Sequence, residues 1–346
     1  MSQRVLLTGA NGFLGSHILS ELLNRGFFVR SVVRSQVKAD QIARDFPSFK
    51  SKMDFGIVPD MTVSGAFNEV VKSTPPFDAV LHQASPFLFS AIGNNAEFLD
   101  PAVKGTTEIL KSIKAHAPEV KRVIYTSSCA AVLNFNVPAG TTPQKVYTED
   151  DWYPITYDEA LAGSKADAYR ASKKFAELAA WNFVKEERPN FDLVTLNPPM
   201  IYGPLKHTVS NVKDLNESNA RIYSNFVDSS KDAPLPPNGV HMYVDVRDLA
   251  IAHVKAVTTP GAGGQRIIVS SKSISSQNIS DIFRKSFPEL EQRTPIGKPG
   301  TDSLPEGAYT ISNEKVKRLL GLEFRSDEEC FVELGRQLLE IEKASA

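Results

Sequence analysis

The sequence predicts an α/β fold, with a doubly wound, Rossmann-type parallel sheet and a smaller C-terminal substrate lobe. Short apolar runs alternate with longer helical patterns through the first half of the chain. The first apolar run leads directly into a glycine-rich turn, with glycines at positions 9, 12 and 15. Strands that alternate with long helices need right-handed crossovers, so the sheet is expected to be mostly parallel with helices on both faces.

The N-terminal region supplies most of the predicted elements. Residues 5–8 read as a buried strand, and 13–23 as an amphipathic helix that Gly26 can end in the left-handed conformation. The alternation continues with strands at 28–33, 53–58 and 79–83 and with helices near 36–46 and 63–72. Pro101 suits the first turn of a helix that runs through residue 113.

The middle of the chain completes the sheet before the pattern loosens. β-Branched and aromatic residues predict a strand at 122–126, a long helix is expected at 165–187, and Pro198 and Pro199 end a strand at 192–197. Prolines and asparagines then mark loops, with one short helix near 220–227. Further helices are expected at 246–257, 277–286 and 327–342, and a further strand at 266–269.

Composition restricts the partners and the compartment. The 346 residues carry a formal net charge of −1, so no strong field attracts nucleic acid or a membrane surface, and a small-molecule partner is expected. Cys129 and Cys330 are the two cysteines, which makes a disulfide scaffold implausible and favours a reducing compartment. Without a signal-like start or a long apolar stretch, we expect a cytoplasmic protein, either a monomer or a homodimer.

The turn after the first strand has the pattern of a dinucleotide-binding site. Glycine lets the backbone turn tightly and approach a pyrophosphate, and the amides at the start of the next helix face the anion. The alternative is a plain strand-to-helix turn whose glycines serve packing. The residues expected to contact the cofactor here are Gly9, Asn11, Gly12, Phe13, Leu14 and Gly15.

The second strand predicts which dinucleotide is used. An NAD site usually offers an acidic residue at this strand end, whereas this chain has Arg34, with Lys38 one turn later. A guanidinium can hold a 2′-phosphate with two hydrogen bonds, so NADPH/NADP⁺ is the expected cofactor. Arg34 could instead be a solvated residue at the start of a helix. Asp60 is expected either to accept from the adenine amine or to cap a helix.

Tyr169 and Lys173 form the candidate reacting pair. Spaced by four residues, they share one face of the predicted long helix, where the ammonium can favour the phenolate and lower the pKa of Tyr169. The common alternative for such a pair is an ordinary helix surface. A hydroxyl at the end of the 122–126 strand could bind the substrate oxygen, and Ser128 and Ser127 are the two candidates for this role. Together with the glycine turn, this pair predicts hydride transfer involving a nicotinamide.

These motifs resemble the extended short-chain dehydrogenase/reductases, and within them the dihydroflavonol reductase and yeast methylglyoxal (aldehyde) reductase group. The matching segments are Thr8-Gly9, 82–86, 125–128, 169–173, 197–204 and 243–248. The resemblance implies that Tyr169 donates the proton, Lys173 holds the nicotinamide ribose and Ser128 orients the carbonyl. It also implies that Pro199 meets the carboxamide and that Ala84, Ser85 and Pro86 line the cofactor.

Other positions carry weaker expectations. Many relatives have an asparagine where this chain has Lys104, which puts a water-linked proton relay in doubt. His82 is expected to be a structural hydrogen-bonder. Asp245 and Arg247 are expected either to brace the two lobes or to provide charge at a helix N-terminus.

Aromatic residues near the expected pocket favour an apolar or aromatic carbonyl substrate. A small residue, Cys129, follows the candidate serine and leaves room for a bulky ketone. The expected pocket residues are Phe87, Phe89, Cys129, Phe135, Tyr202 and Phe226, with Trp152 nearby. No metal site is expected, because no known metal-ligand motif is present.

The predicted activity is an NADPH-dependent aldehyde or ketone reductase. Residues 1–198, with about 240–270, are the expected NADP-binding domain, and 199–239 with 271–346 the substrate-binding lobe. The alternatives are a sugar-nucleotide epimerase or dehydratase with retained cofactor, an enzyme like the 3β-hydroxysteroid dehydrogenases, and a non-catalytic NADP(H) sensor. Free exchange of cofactor would exclude the epimerase, and the Tyr–Lys pair argues against the sensor.

Overall fold

The computed structural model describes residues 3–84, 94–137 and 144–345. The strands of its main sheet are β1 (Arg4–Thr8), β2 (Phe28–Val33), β3 (Met53–Ile57), β4 (Ala79–His82), β5 (Arg122–Thr126), β7 (Asp192–Asn197) and β10 (Arg266–Ile268). The shorter strands are β6 (Val146–Tyr147), β8 (Met200–Tyr202), β9 (Met242–Asp245), β11 (Lys272–Ser273) and β12 (Thr310–Ile311).

The helices fall between and around these strands. They are α1 (Phe13–Asn24), α2 (Gln36–Asp45), α3 (Ala96–His116), α4 (Tyr157–Ala162), α5 (Lys165–Glu187), α6 (Glu217–Ile222), α7 (Val246–Thr258), α8 (Ser276–Ser286), α9 (Glu314–Leu320) and α10 (Asp327–Ser345). Capping boxes at Ser164 and Ser275 start α5 and α8, because each serine hydroxyl accepts from the backbone three residues later. None of the described helices is long and apolar enough to cross a bilayer.

The main sheet has the order β10-β7-β5-β4-β1-β2-β3, and its neighbouring strands pair in parallel. The chain starts at β1, moves outward to β3 and then crosses back to β4 on the other side of β1. Loops leaving β1 and β4 therefore diverge, and a crevice opens at their carboxyl ends. The predicted α/β Rossmann-type fold is confirmed.

Two cores cover the two faces of this sheet. Val5 and Leu7 of β1 pack in the core that α1, α2, α7 and α9 share, whereas Leu6 packs with α3 and α5 on the opposite face. This alternation follows from the two-residue period of a strand, and both faces are apolar because both are covered. A third core joins α8 and α10 to residues such as Tyr202 and Phe226.

The lobe division stays a prediction, although the packing adds a detail to it. Val316 and Leu320 of α9 pack in the sheet core with α7, while the sequence assigned residues 271–346 to the substrate lobe. The C-terminal segment therefore returns to the sheet before α10 joins the third core.

Two predicted helices differ from the structure. Residues 63–72 form consecutive turns, because Gly65 has a φ of +76° and its N–H donates to Glu108 on α3. Phe67 and Val71 are still buried, which explains the helix-like spacing of apolar residues. The next helix begins at Ala96, so Pro101 lies in its second turn rather than its first.

Candidate active site

The glycine turn joins β1 to α1 in a tight, backbone-built cradle. Gly9 has a φ of +70°, which favours glycine, and its carbonyl accepts from Gly12 N at 3.0 Å. Gly12 is the N-cap residue of α1 and has no side-chain cap. The first backbone N–H groups of α1 therefore face the end of β1, where they can donate to a phosphate group.

Gly15 has a packing role that no larger residue could take. A Cβ atom at this position would lie 2.1 Å from the Gly9 carbonyl oxygen and 2.5 Å from Gln83 Oε1. The glycine thus lets α1 approach the turn and the end of β4 closely. Phe13 and Leu14 follow the same turn, but the Leu14 side chain is buried in the sheet core.

A cleft of about 450 Å³ opens beside this cradle at the β1–β4 crevice. Six of the predicted cofactor residues line it: Gly9, Asn11, Gly12, Arg34, Lys38 and Ala84. Arg34 and Lys38 are exposed at the end where β2 stops. Ser85 and Pro86 lie outside the described residues, as do the predicted pocket residues Phe87 and Phe89.

Further residues line the cleft that the sequence did not indicate. These residues are Thr8, Val32, Val33, Ser35, Val58, Met61, Phe67 and Gln83. The strand-end members could have been found from their position alone, since ligands in doubly wound sheets bind at strand carboxyl ends. Phe67 lies in the 63–72 segment, which was predicted to be helical, and Met61 lies just before it, so their position did not indicate a contact with the cleft.

Asp60 forms a local turn in the described structure. Its Oδ1 accepts from the Thr62 backbone N–H at 2.8 Å and from the Thr62 hydroxyl at 2.7 Å. These hydrogen bonds lower the pKa of Asp60, as does the nearby charge of Arg34. Asp60 therefore caps a turn rather than a helix, and its predicted contact with adenine stays a prediction.

Thr8 ties the ends of β1 and β4 together. Its Oγ1 accepts from the backbone N–H groups of Gln83 at 3.1 Å and Ala84 at 3.0 Å. The hydroxyl hydrogen is then free for His82 Nδ1, 3.0 Å away, so the neutral ring carries its hydrogen on Nε2. Burial, with a smaller effect of the Lys173 charge, lowers the pKa of His82 to about 3, which agrees with a structural role.

Ser127 and Ser128 have different surroundings at the end of β5. The Ser127 hydroxyl is buried and donates to Glu177 Oε2 at 2.6 Å. Ser128 is partly exposed, and its Oγ accepts from Ala130 N at 3.1 Å while its own hydrogen stays available for donation. This arrangement supports the preference for Ser128 as the serine that contacts substrate.

Tyr169 and Lys173 lie on one face of α5, with the Lys173 ammonium 5.6 Å from the centre of the Tyr169 ring. Burial, followed by the negative charge of Glu217, raises the pKa of Tyr169 to about 12. Burial lowers the pKa of Lys173 to about 8. The expected lowering of the tyrosine pKa is therefore wrong for this structure, because desolvation and the charge of Glu217 both raise it.

Three of the predicted pocket residues are buried in the described structure. Tyr202 and Phe226 are buried in the third core, and the Cys129 thiol is buried where it donates to the Asn197 carbonyl at 3.1 Å. These three side chains serve packing here, and their predicted contact with substrate stays a prediction. Phe135 is partly buried and lies under the Arg170 guanidinium, 3.9 Å from its ring centre.

Other predicted positions have defined places. Pro199 lies between β7 and β8, and the carbonyl of the preceding proline accepts from Cys129 N at 2.8 Å. Asp245 is the N-cap residue of α7 and also pairs with Arg247 at 2.7 Å. Arg247 in turn pairs with Glu333 on α10, so the charge at the helix N-terminus is present and an ion pair joins α7 to α10, while the bracing of two lobes stays a prediction. Among the described residues there is no cluster suited to a metal ion.

Comparison with known proteins identifies the family. The model of the NAD dependent epimerase/dehydratase family matches residues 5–270. The chain belongs to this family. The ketoreductase azaE of Aspergillus niger is 39% identical over 343 residues, covering 98% of each chain. The NADPH-dependent methylglyoxal reductase GRE2 of Saccharomyces cerevisiae is 37% identical over 346 residues, again covering 98% of each.

A solved structure gives the same answer for the fold. The crystal structure of yeast methylglyoxal/isovaleraldehyde reductase Gre2 complexed with NADPH superposes with a TM-score of 0.89. It is 35% identical and covers 99% of this chain and 100% of its own. The predicted resemblance to the extended reductases is confirmed by these similarities.

Proposed function

We propose that the protein is an NADPH-dependent carbonyl reductase that acts on small aldehydes or ketones. The observation that carries the proposal is the placement of Tyr169 and Lys173 on α5, a helix that packs on the sheet whose β1–β4 crevice lies beside the glycine cradle. Full-length similarity to a ketoreductase and to an NADPH-dependent methylglyoxal reductase supports the same activity.

The crevice fits a dinucleotide on structural grounds. Gly9 and Gly12 leave its floor without side chains, and Gln83 Oε1 is buried there without a hydrogen-bond partner in the described part of the chain. Gly9, Asn11 and Gly12 would hold the pyrophosphate, and Arg34 with Lys38 would hold the 2′-phosphate. Bound NADPH supplies a hydride to the carbonyl carbon.

The protonation states suit reduction. With its pKa near 12, Tyr169 is a neutral phenol at physiological pH, which is the form needed to donate a proton to the developing alkoxide. Lys173, with its pKa near 8, is largely an ammonium and can bind the nicotinamide ribose. The Ser128 hydroxyl would donate to the carbonyl oxygen as charge accumulates there.

A substrate panel tests this function. The purified protein is mixed with NADPH or NADH and with short aldehydes, α-dicarbonyls and aryl ketones, and nicotinamide absorbance is followed against a control without carbonyl compound. We expect NADPH to be consumed with little use of NADH. Tight cofactor binding without consumption across the panel would instead favour an epimerase that retains its cofactor, or a sensor.

A further inference from the structure

Glu177 occupies an unusual position behind the reacting end. It lies on α5 four residues after Lys173 and eight after Tyr169, so the three side chains follow one face of the helix. The Glu177 side chain is fully buried. A carboxylate is rarely buried this deeply unless it is paired and its lone pairs are satisfied.

Side chains from three adjacent strands donate to this carboxylate. Oε1 accepts from Thr195 Oγ1 of β7 at 2.9 Å and from Arg266 Nε of β10 at 2.7 Å. Oε2 accepts from the Ser127 hydroxyl at 2.6 Å and from Asn197 Nδ2 at 2.7 Å. Glu177 thus fixes α5 to the residue that follows β5, to the carboxyl-terminal half of β7 and to the first residue of β10.

Asn197 connects Glu177 to the Ser128 backbone. The same Nδ2 group donates to the backbone carbonyl of Ser128 at 3.2 Å, so one amide bridges Glu177 and Ser128. Asn197 is fully buried, which leaves its NH₂ group little freedom to take another partner. The Ser128 segment is also held where Cys129 N donates to the Pro198 carbonyl at 2.8 Å.

The positive charge of Arg266 balances the buried charge of Glu177. Arg266 is itself buried. It donates to the backbone carbonyls of residues 131, 149 and 151 and stacks on Trp152 at 3.6 Å from the ring centre. With its charge and hydrogen bonds satisfied, the network can hold a single geometry. The network therefore also holds the Ser128 backbone, which Asn197 contacts.

We propose that Asn197, anchored by Glu177, is a positioning residue that sets Ser128 relative to Tyr169 and Lys173. The inference rests on the proposed function, because it assumes that Ser128 contacts the carbonyl oxygen. Asn197 acts on the reaction through the Ser128 backbone and touches neither substrate nor cofactor. Small errors in such placement reduce turnover strongly, whereas cofactor binding at the β1–β4 crevice is unaffected.

The test is a double-mutant cycle between Asn197→Ala and Ser128→Ala, with kcat and KM for the best carbonyl substrate and Kd for NADPH. We expect Ser128→Ala to lower kcat about 100-fold and Asn197→Ala about 10-fold, with the Kd for NADPH unchanged. In the Ser128→Ala background, Asn197→Ala should cost less than about twofold, because its effect acts through the missing hydroxyl.

Trp181→Phe is the matched control. It removes the hydrogen bond from the Trp181 indole N–H to Glu177 Oε1 at 3.4 Å and leaves the Asn197 amide and its bond to Ser128 in place, so it should lower the melting temperature yet keep kcat within about twofold. If Asn197→Ala folds poorly, Glu177→Gln gives an independent check. The new glutamine amide would face the Asn197 amide and disturb the hydrogen bond between residues 177 and 197. The loss of kcat in Glu177→Gln should likewise disappear without the Ser128 hydroxyl.

The outcomes separate the two proposals. If Ser128→Ala retains wild-type kcat, the role assigned to Ser128 fails, and the positioning role fails with it. If Ser128→Ala is impaired but Asn197→Ala costs the same factor in both backgrounds, or nothing in either, the inference about Asn197 fails while the reductase mechanism stands.

Discussion

The two ends of the site are built in different ways. The cofactor cradle comes from backbone groups that are close in sequence, Gly9 to Gly15, with the end of β4 packed against them. The reacting end depends on side chains that meet only in the folded chain, as where Glu177 accepts from Ser127 and Arg266. The first is a property of a short motif, whereas the second is a property of the whole sheet.

This difference predicts different weaknesses. The cradle should fail when atoms or charges are added near the cofactor, since its function depends on space and on the 2′-phosphate contact. The reacting end should fail when a proton donor is lost, even though the fold and the cofactor site persist.

Tyr169→Phe should abolish nearly all turnover while NADPH still binds. Loss of a general acid typically costs about 10²- to 10⁴-fold in kcat, and the removed hydroxyl leaves the cradle untouched. Steady-state kinetics and NADPH fluorescence titration measure the two quantities. Tyr223→Phe, which removes a hydroxyl bonded to Glu342 far along the chain, serves as the control. Wild-type turnover in Tyr169→Phe would remove the mechanism.

Arg34→Glu should reverse or flatten the cofactor preference. Replacing a charge-assisted contact to the 2′-phosphate with a carboxylate should lower the ratio of kcat/KM for NADPH to that for NADH by about 10- to 100-fold. Arg44→Glu makes the same charge change on exposed α2 and should leave the ratio near its wild-type value. An unchanged ratio in Arg34→Glu would show that this residue does not read the phosphate.

Gly15→Ala should weaken the cradle through the backbone. The added methyl group would lie 2.1 Å from the Gly9 carbonyl oxygen, so α1 must shift, at a typical cost of about 1–3 kcal/mol in the free energy of unfolding. Thermal melts and NADPH titration should both report the shift. Gly261→Ala, where the nearest atom is a Leu319 methyl at 3.4 Å, should be tolerated; equal effects in the two variants would contradict the packing argument.

Lys173 should give opposite pH trends for binding and stability. Because its pKa is about 8 in the folded protein, raising the pH from 7 to 9 should weaken NADPH binding by up to about tenfold. Between pH 8 and 10.5 the unfolded chain binds more protons at this residue, so its contribution to folding stability rises with pH. In Lys173→Arg the decline of binding should move to higher pH, since a guanidinium stays charged.

If NADPH affinity fell equally in wild type and Lys173→Arg, another group would control the pH dependence. Titrations by fluorescence and urea unfolding at each pH supply the two measurements. Both are needed, because a general loss of folding at high pH would lower binding and stability together.

The sequence predicts the cradle well because its information is local. The β2 and α5 boundaries match the structure, and the exposed Arg34 and Lys38 lie beside the cleft as expected. Local patterns carry such features directly, since glycine spacing, strand ends and capping residues act within a few positions.

The parts that sequence missed depend on long-range packing. Tyr202 and Phe226 are aromatic residues of the kind that often lines a pocket, yet both are buried in the core that α8 and α10 share. The Tyr169 pKa depends on burial and on Glu217, which is distant in sequence. The hydrogen bonds of Glu177 reach residues up to 89 positions away along the chain, so no local pattern could indicate them. Gly65, by contrast, was visible in sequence, and its turn explains why 63–72 is not helical.

Hydride transfer from the cofactor to the carbonyl carbon can be followed with an isotopic label. NADPH with deuterium at the transferable C4 position is incubated with the protein and the best carbonyl substrate, and the alcohol is analysed by mass spectrometry and NMR. We expect one deuterium on the former carbonyl carbon and release of NADP⁺, with almost no labelled alcohol from Tyr169→Phe. Alcohol without deuterium, or label that stays on a bound cofactor, would contradict it.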